Sequence, residues 1–293
     1  MKKVGIVILN YKSYRDTIRL ISDLQKQKGD IFLEIVVVDN DSPNESVGEI
    51  DKYLSSTEFI YNVYFIKNAC NSGYAKGNNV GLQYLEQFNC DYVAILNNDI
   101  YFTSDFTFEA LVNKYQTLEN VGLVAPLQLN IENDIITTQV NIPTFFDDFC
   151  LAFYLGRKYN RKRNKYISKG YINSIVEKVD IVPGSFIFVS YNIFKNLSFF
   201  DEGTFLFGEE RCLAAKIKKS GLFNYIFTDL TYIHAHSKTI KKEVDNIKQM
   251  RLLFNSILFF TRIYRKFGLL KAFLLKILYC YSIIELKIIN LIK

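Results

Sequence analysis

"YVAILNND", residues 92–99, decides how the first half of the chain is read. Val93 to Leu96 form an unbroken apolar run, and Asn97, Asn98 and Asp99 follow at once. A run without alternation marks a strand buried on both faces, as in a parallel sheet. The same form recurs upstream. "VGIVIL" (4–9) runs into Asn10, "LEIVVVDN" (33–40) ends on Asp39, and "YNVYFIKN" (61–68) makes a third strand. "VGLVAP" (121–126) is a fifth. Between the first two, Ile18, Ile21 and Leu24 recur at helical spacing while Asp23 and Lys26 face away. Further helices are expected over 75–87 and 105–119. Strands alternating with such helices imply an α/β fold, a doubly wound and mostly parallel sheet with crossover helices. Ligands of these sheets lie beyond the carboxyl ends of the strands. Asn10, Asp39 and Asp99 all fall there.

The second half is less regular from 127 to 176. Residues 151–176 hold seven Lys/Arg and no Asp/Glu, centred on "GRKYNRKRNK" (156–165). A strand-like "VDIVPGSFIFVS" (179–190) and a turn follow. A helix is expected from Glu209 to Gly221, whose glycine suits a C-cap. "YIFTDLTYIHAHS" (225–237) is an apolar strand carrying both histidines of the chain, His234 and His236. From Arg251 onward there are eight Lys/Arg against one acid, Glu285. These shifts suggest a main domain over 1–245, with halves 1–126 and 127–245, and a helical basic-apolar extension over 246–293.

The totals agree with a globular protein. The chain has 293 residues, 49% hydrophobic and 23% charged, which excludes a disordered segment. That length holds one large α/β domain with an appendage. Five scattered cysteines with no C-x-x-C pair exclude a disulfide frame or a zinc site and read as reduced cytosolic thiols. The apolar run Val4 to Leu9 is too short for a signal peptide, and no uncharged apolar stretch is long enough for a membrane-spanning helix.

Several stretches suggest chemistry. Asn97, Asn98 and Asp99 are compatible with a turn, since Asx side chains satisfy loop backbone. They are equally what a rigid strand end needs to hold Mg²⁺ or Mn²⁺, whose other ligands would be phosphate oxygens and water. Asp39 has the same two readings, closing a turn or accepting from a base imide or ribose hydroxyl. "NACNSGYAKGNNVG" (68–81) is neither a dinucleotide fingerprint nor a P-loop. It reads as an ordinary strand-to-helix loop, or as one that sets backbone N–H groups and Lys76 near a diphosphate. In "FDEGTFLFGEER" (200–211), Glu209 and Glu210 fit a solvated helix start or a reactive acid pair. The H-x-H of His234 and His236 admits a ligand role.

With these pieces in this order, the chain resembles the inverting family-two glycosyltransferases of bacterial surface-polysaccharide synthesis, of rhamnosyltransferase-like type and GT-A fold. The resemblance rests on "VGIVILNYKS", "EIVVVDNDSPNES", "NSGYAKGNNVG", "YVAILNND", "VPGSFIFVS", "FFDEGTFLFGEE" and "IHAHS". It implies that Asp99 occupies the metal position of a variant D-x-D motif. It also implies a base and ribose site at Asn10, Tyr11 and Asp39. Asn71 and Lys76, with Asn98 beside the motif, then contact the donor nucleotide. His234 is implied as a metal or diphosphate partner, with His236 as second choice. Glu209 and Glu210 match the family's acid pair, Glu210 standing where the base stands. The sequence departs from the pattern at four positions. Glu210 replaces an Asp, Cys212 stands where an acid is usual, and Lys216 and Lys76 stand where Arg is common.

The implied cofactor is Mn²⁺ or Mg²⁺. The implied partners are a nucleotide-diphosphate sugar and a glycan or lipid-linked acceptor, with no nucleic acid. A non-catalytic sugar-nucleotide or glycan-binding scaffold is the alternative that the Glu-for-Asp exchange keeps open. A nucleotidyltransferase would carry a Gly-rich loop after the first strand, and "NYKSYRD" has no Gly.

Read as one helix, the tail sets Arg262, Arg265, Lys266, Lys276 and Lys287 beside an apolar arc of Ile263, Phe267, Leu270, Leu274, Leu278, Tyr281 and Ile288. A basic stripe beside apolar residues suits an interfacial helix on an anionic leaflet, and so does packing as an ordinary amphipathic helix pair. The expectation is a cytoplasmic protein, peripheral on the inner face of the plasma membrane. The basic stretch 157–169 would face the same surface.

Overall fold

The computed structural model describes residues 1–136, 138–139, 141–153, 155–157, 159, 166–167, 172, 174–235 and 246–292. The chain opens with β1 (Lys2–Asn10), α1 (Tyr14–Leu24), β2 (Ile31–Asp39), α2 (Ser46–Ser56), β3 (Asn62–Lys67), α3 (Tyr74–Tyr84) and β4 (Tyr92–Leu96). β1 pairs in parallel with β2 and β4, and β2 with β3. Both faces of these strands are covered. Val4, Ile6 and Ile8 enter one hydrophobic cluster, while Val7 enters the other. That double burial is why the strand sequences run apolar without alternation.

Next come β5 (Ile100–Phe102), α4 (Thr107–Gln116), β6 (Val121–Leu129), β7 (Thr138–Gln139), α5 (Phe145–Leu151), β8 (Tyr166–Ile167), β9 (Val176–Val179), β10 (Phe186–Ser190), α6 (Tyr191–Asn196), α7 (Glu209–Lys219) and β11 (Phe223–His234). The main sheet has the order β3-β2-β1-β4-β10-β6-β11-β5, with β9 also on β11. β10 runs antiparallel to β4 and β6, so its N-terminal end lies beside the C-terminal end of β4. The stretch 179–190, expected as one strand, is two. Val179 ends β9 and Phe186 begins β10. Pro183 and Gly184 fall between them, and a proline cannot donate to a ladder.

β11 changes partner along its length. Asn224 to Phe227 pair with β9, the register slips between Phe227 and Thr231, and Tyr232 to His234 then pair with β5. An irregularity of this kind bends a strand. Here it delivers His234 opposite Ile100, one residue from Asp99. α7 starts after Gly208 (φ 86°) and stops short of Gly221 (φ 72°), the left-handed glycine that marks a helix end.

The C-terminal extension is two helices, α8 (Asn246–Tyr264) and α9 (Gly268–Ile292). The break requires glycine. A Cβ on Gly268 would sit 2.4 Å from the Thr261 carbonyl oxygen. α8 packs on α7, and α9 packs on α5. Phe254, Ile257, Leu275 and Tyr279 bury together with Ala152, the Phe254 and Tyr279 rings stacking at 3.8 Å. Beneath them Asp148 is fully buried, with Arg211 at 3.0 Å and Arg265 at 2.6 Å. Arg265 therefore leaves the surface stripe in which the sequence places it, because a buried carboxylate needs a paired charge. Leu278 likewise turns inward against this cluster. Arg157 is tied to Glu285 at 2.7 Å. Most of 157–169 lies outside the described residues, as do His236 and the side chain of Ile288. Among the described residues, no helix is long and apolar enough to cross a membrane.

Candidate active site

The site forms along the edge where β1, β2 and β4 end and β10 begins. Asn98 is held from three sides. Arg19 of α1 lies 3.7 Å over the Tyr101 ring and donates to the Asn98 carbonyl at 2.8 Å. The Asn98 amide donates to Ser13 Oγ at 2.6 Å and Thr17 Oγ1 at 2.9 Å. Rigid support on both sides of the peptide fixes where Asp99 points. Asp99 Oδ1 lies 3.1 Å from His234 Nε2, and His234 Nδ1 lies 2.7 Å from the Gln128 side-chain nitrogen. With that amide donating to Nδ1, the proton sits on Nε2 and bonds Asp99. With the amide turned over, Gln128 accepts from Nδ1–H and Nε2 presents its lone pair to a metal. Among the described residues no group of three or more His, Cys, Asp or Glu converges as a metal cage. Asp99 and His234 nonetheless fit an ion completed by phosphate oxygens and water, since a hard divalent cation accepts one carboxylate and few further protein ligands at a nucleotide site.

The nucleotide end is a network of buried amides. Thr17 Oγ1 donates to Asn10 Oδ1 at 2.8 Å, which joins Asn98 to β1. Asn10 donates to Asp39 Oδ2 at 2.6 Å. Ser42 adds two more donors to Asp39, its N–H at 2.9 Å and its hydroxyl at 2.7 Å. Asp39 thus closes the turn after β2 and keeps part of its acceptor capacity. Asn40 ties that turn to the next loop, donating to Asn71 Oδ1 at 3.0 Å and to the Gly73 carbonyl at 3.2 Å. Asn71 also accepts from Gly73 N–H at 3.1 Å, so its oxygen shapes the loop. Lys76 is exposed on the first turn of α3, and Tyr11 is half-buried after β1.

The first N–H of α3 is taken up within the fold. The Tyr74 N–H donates to the Phe205 carbonyl at 2.8 Å, and a Cβ on Gly73 would come within 2.3 Å of that oxygen. Gly77 and Gly81 serve packing instead. Their positions meet Leu9 Cδ1 and Val7 Cγ1 at 2.6 Å, so glycine lets α3 lie close on β1.

The acid pair starts α7. Glu209 is buried, its Oε1 has no hydrogen-bond partner, and its carboxyl is pushed up to about 8 by burial and then by the charge of Glu210. Glu210 is half-buried, and burial raises its carboxyl also. A Cβ on Gly184 would sit 2.3 Å from Glu210 Oε1, so a side chain there would push that carboxylate aside. The Tyr74 hydroxyl donates to the Gly184 carbonyl at 2.7 Å. Ser185, the next residue, accepts from Asn97 N–H at 2.9 Å and shares a 2.6 Å bond with the Tyr232 hydroxyl. Glu210 and Asp99 are therefore linked across one strand end. An acid pair that holds a proton near neutrality can exchange one with a bound hydroxyl.

The profile described as "Glycosyl transferase family 2" matches residues 5–198. The chain belongs to that family. Among curated relatives of this family-two chain, the low-salt glycan biosynthesis hexosyltransferase Agl10 of Haloferax volcanii is 28% identical over 211 residues, which is 71% of this chain and 59% of that relative. GalNAc-T7, solved with UDP, GalNAc and Mn²⁺, shares a TM-score of 0.63 at 13% identity over 92% of this chain and 54% of its own. The mannosyltransferase PcManGT from Pyrobaculum calidifontis, solved with GDP-Man and Mn²⁺, gives 0.60 at 15% over 95% and 72%. TarS of S. aureus with UDP gives 0.53 at 16% over 88% and 66%. At those identities the likeness is one of fold, the GT-A α/β fold. The family match stops before the acid pair and His234.

Of the residues singled out in this family-two sequence, Asn10, Asp39, Asn98, Asp99 and His234 come together in one network, and Glu210 lies against Gly184 at the same edge, with Glu209 next to it in the chain. Asn71 joins through Asn40, while Lys76 and Tyr11 lie at the rim. Sequence reasoning missed Arg19, Gln128, Asn40 and Tyr74. Gln128 and Asn40 left a signal, since each is a polar residue buried at an apolar strand or its end. Tyr74 left none, because its partner is 110 residues away. Lys216, where Arg is common, pairs with Asp201 at 2.9 Å and bonds the Phe199 carbonyl, holding the loop ahead of α7.

Proposed function

We propose that this protein transfers a hexosyl or deoxyhexosyl group from a nucleotide-diphosphate sugar to a glycan or lipid-linked glycan, with inversion, in bacterial capsule or O-antigen-type polysaccharide synthesis. Residues 1–126 form the nucleotide half, 127–245 the acceptor half, and the protein works peripherally at the inner face of the plasma membrane. The observation that carries this reading is the pairing of Asp99 with His234 at 3.1 Å near the acid pair of buried Glu209 and half-buried Glu210.

Glu210 is the base. It takes the proton of the acceptor hydroxyl as that oxygen bonds the anomeric carbon and the bond to the diphosphate breaks on the opposite face. Burial raises its basicity, which favours this transfer once the carboxyl is ionised. Gly184 and Tyr74 set its position. Asn10 and Asp39 receive the base and ribose, with Tyr11, Asn71 and Lys76 at the rim. Asp99 and His234 would hold Mn²⁺ or Mg²⁺, which would supply Lewis-acid charge to the departing diphosphate. Support comes from family membership, and from the Mn²⁺ present in the solved structures of GalNAc-T7 and PcManGT.

The test is Glu210→Gln, assayed for nucleoside-diphosphate release over a panel of donors with Mn²⁺. Turnover should fall on the order of 10²-fold or more while donor binding persists. A dead Glu209→Gln beside an active Glu210→Gln would move the base by one residue.

A further inference from the structure

α9 is apolar on both sides, and only one side is covered. Leu275, Tyr279 and Ser282 face the domain and are buried. On the other side Leu270, Phe273, Leu274, Ile277, Tyr281 and Ile284 are between 46% and 63% exposed. Their spacing of three and four residues makes one stripe, about 21 Å long at 1.5 Å per residue. Phe267 and Leu269 continue it around the turn from α8. A contiguous apolar face of this kind marks a contact surface.

Charge selects the occupant. Arg262, Lys266, Lys276 and Lys287 are exposed along the hairpin. The one acid between 246 and 293, Glu285, is engaged by Arg157. Two copies meeting through this face would bring like charges together, which disfavours a homodimer. A nucleic acid would leave the apolar stripe in water. A bilayer with anionic lipid accepts both features, the stripe entering the headgroup boundary and the cations lying against phosphates.

The stripe also opens into a groove. A cavity of about 440 Å³ lies between α8, α9 and Gly203, with Phe259, Leu269 and Phe273 as apolar walls and Arg262 and Lys276 as cations. Neither cation has an acidic partner among the described residues. The far wall is the loop that leads to the acid pair. Phe259 packs where a Cβ on Gly203 would stand, and Ser256 Oγ donates to the Leu206 carbonyl at 3.2 Å, three residues before Glu209.

We infer that α9 lies on an anionic bilayer and that the Arg262–Lys276 groove takes the phosphate of a membrane-embedded lipid. This deepens the proposed function, on which it rests for the lipid-linked character of the acceptor. It assigns the bilayer to one helix face and the lipid phosphate to one groove.

The experiment uses the full chain and vesicles, without donor, so its failure is separate from failure of the transfer reading. Co-sedimentation is measured with vesicles of phosphatidylcholine alone and of phosphatidylcholine with phosphatidylglycerol. Phe273→Asp with Ile277→Asp, and separately Arg262→Glu with Lys276→Glu, alter only exposed side chains, and their melting curves should match the parent. Each pair should weaken binding to anionic vesicles by about tenfold or more. Lys52→Glu with Lys219→Glu makes the same charge change elsewhere and should leave binding intact. Equal loss in that control would reduce the effect to net charge and overturn the inference. So would binding to neutral vesicles as strong as to anionic ones, or binding indifferent to both groove and stripe variants. Inorganic diphosphate that raises the melting temperature through Arg262 and Lys276, with no vesicle binding at all, would make the groove a site for soluble phosphates and overturn it too.

Discussion

Asp39 and Asp99 lie at the ends of the two strands that flank β1, each after a run of buried aliphatic residues, and the fold gives them different partners. Asp39 accepts from Asn10 at the end of β1 and twice from Ser42 in the turn it closes. Asp99 faces His234, brought from 135 residues away by a bent strand. These donors give Asp39 a part in the turn beside the nucleotide role proposed above, whereas Asp99 is set against an imidazole. Glu209 is a third case, buried with one oxygen that has no hydrogen-bond partner among the described residues. Leaving a buried polar atom unpaired costs stability, and such groups concentrate where chemistry is done.

The largest effect should follow from breaking the Asp99 side of the comparison. Asp99→Ala should lower metal-dependent transfer on the order of 10²-fold, with a melting temperature close to the parent. Transfer that survives this change, or survives excess chelator, would make Asp99 a turn residue with no metal role.

Glu209→Gln comes next, and its effect depends on pH. A carboxyl raised in the folded state keeps a proton that the unfolded chain releases. Its contribution is therefore present below the ordinary carboxylate value of 4.5 and is lost as pH rises toward about 8. The parent should lose on the order of a few kcal/mol across that window, measured by denaturant melts at several pH values. The variant should show a flatter profile. Identical slopes in the two proteins would mean that Glu209 is ionised and satisfied in the fold.

The smallest effect is expected at Asp39. Asp39→Ala leaves the Asn10 amide and the Ser42 donors without their acceptor, at a cost of about 1–3 kcal/mol in chemical denaturation. Donor affinity is measured in the same variant by calorimetry. It should fall as well, and parent-like donor affinity would leave Asp39 a turn residue alone.

Much of the fold was legible because its signals are local. The apolar runs at 4–9, 33–40 and 92–99 became β1, β2 and β4, since double burial leaves no polar position to interrupt them. Gly221 stopped α7 where a left-handed glycine is expected. The strand read over 179–190 failed because Pro183 divides it, and apolar content outweighed the proline in that reading. α2 was not seen, as only Ser46 and Ile50 of it are buried and its pattern is faint. The tail was read as one helix with Arg265 outside, because nothing near Arg265 in the sequence announces the buried Asp148.

Taken alone, the sequence determined the α/β alternation, the strand ends, and the residue types gathered there, because burial and turn chemistry act over a few neighbouring positions. Only the tertiary structure decided which of those carboxylates is satisfied and which is poised. It set His234 against Asp99, placed Gly184 under Glu210, and buried Arg265 on Asp148. It also chose which face of α9 remains uncovered. Each of these depends on partners brought together by sheet order and helix packing, and a carboxylate's protonation and reach follow from those partners more than from its neighbours in the chain.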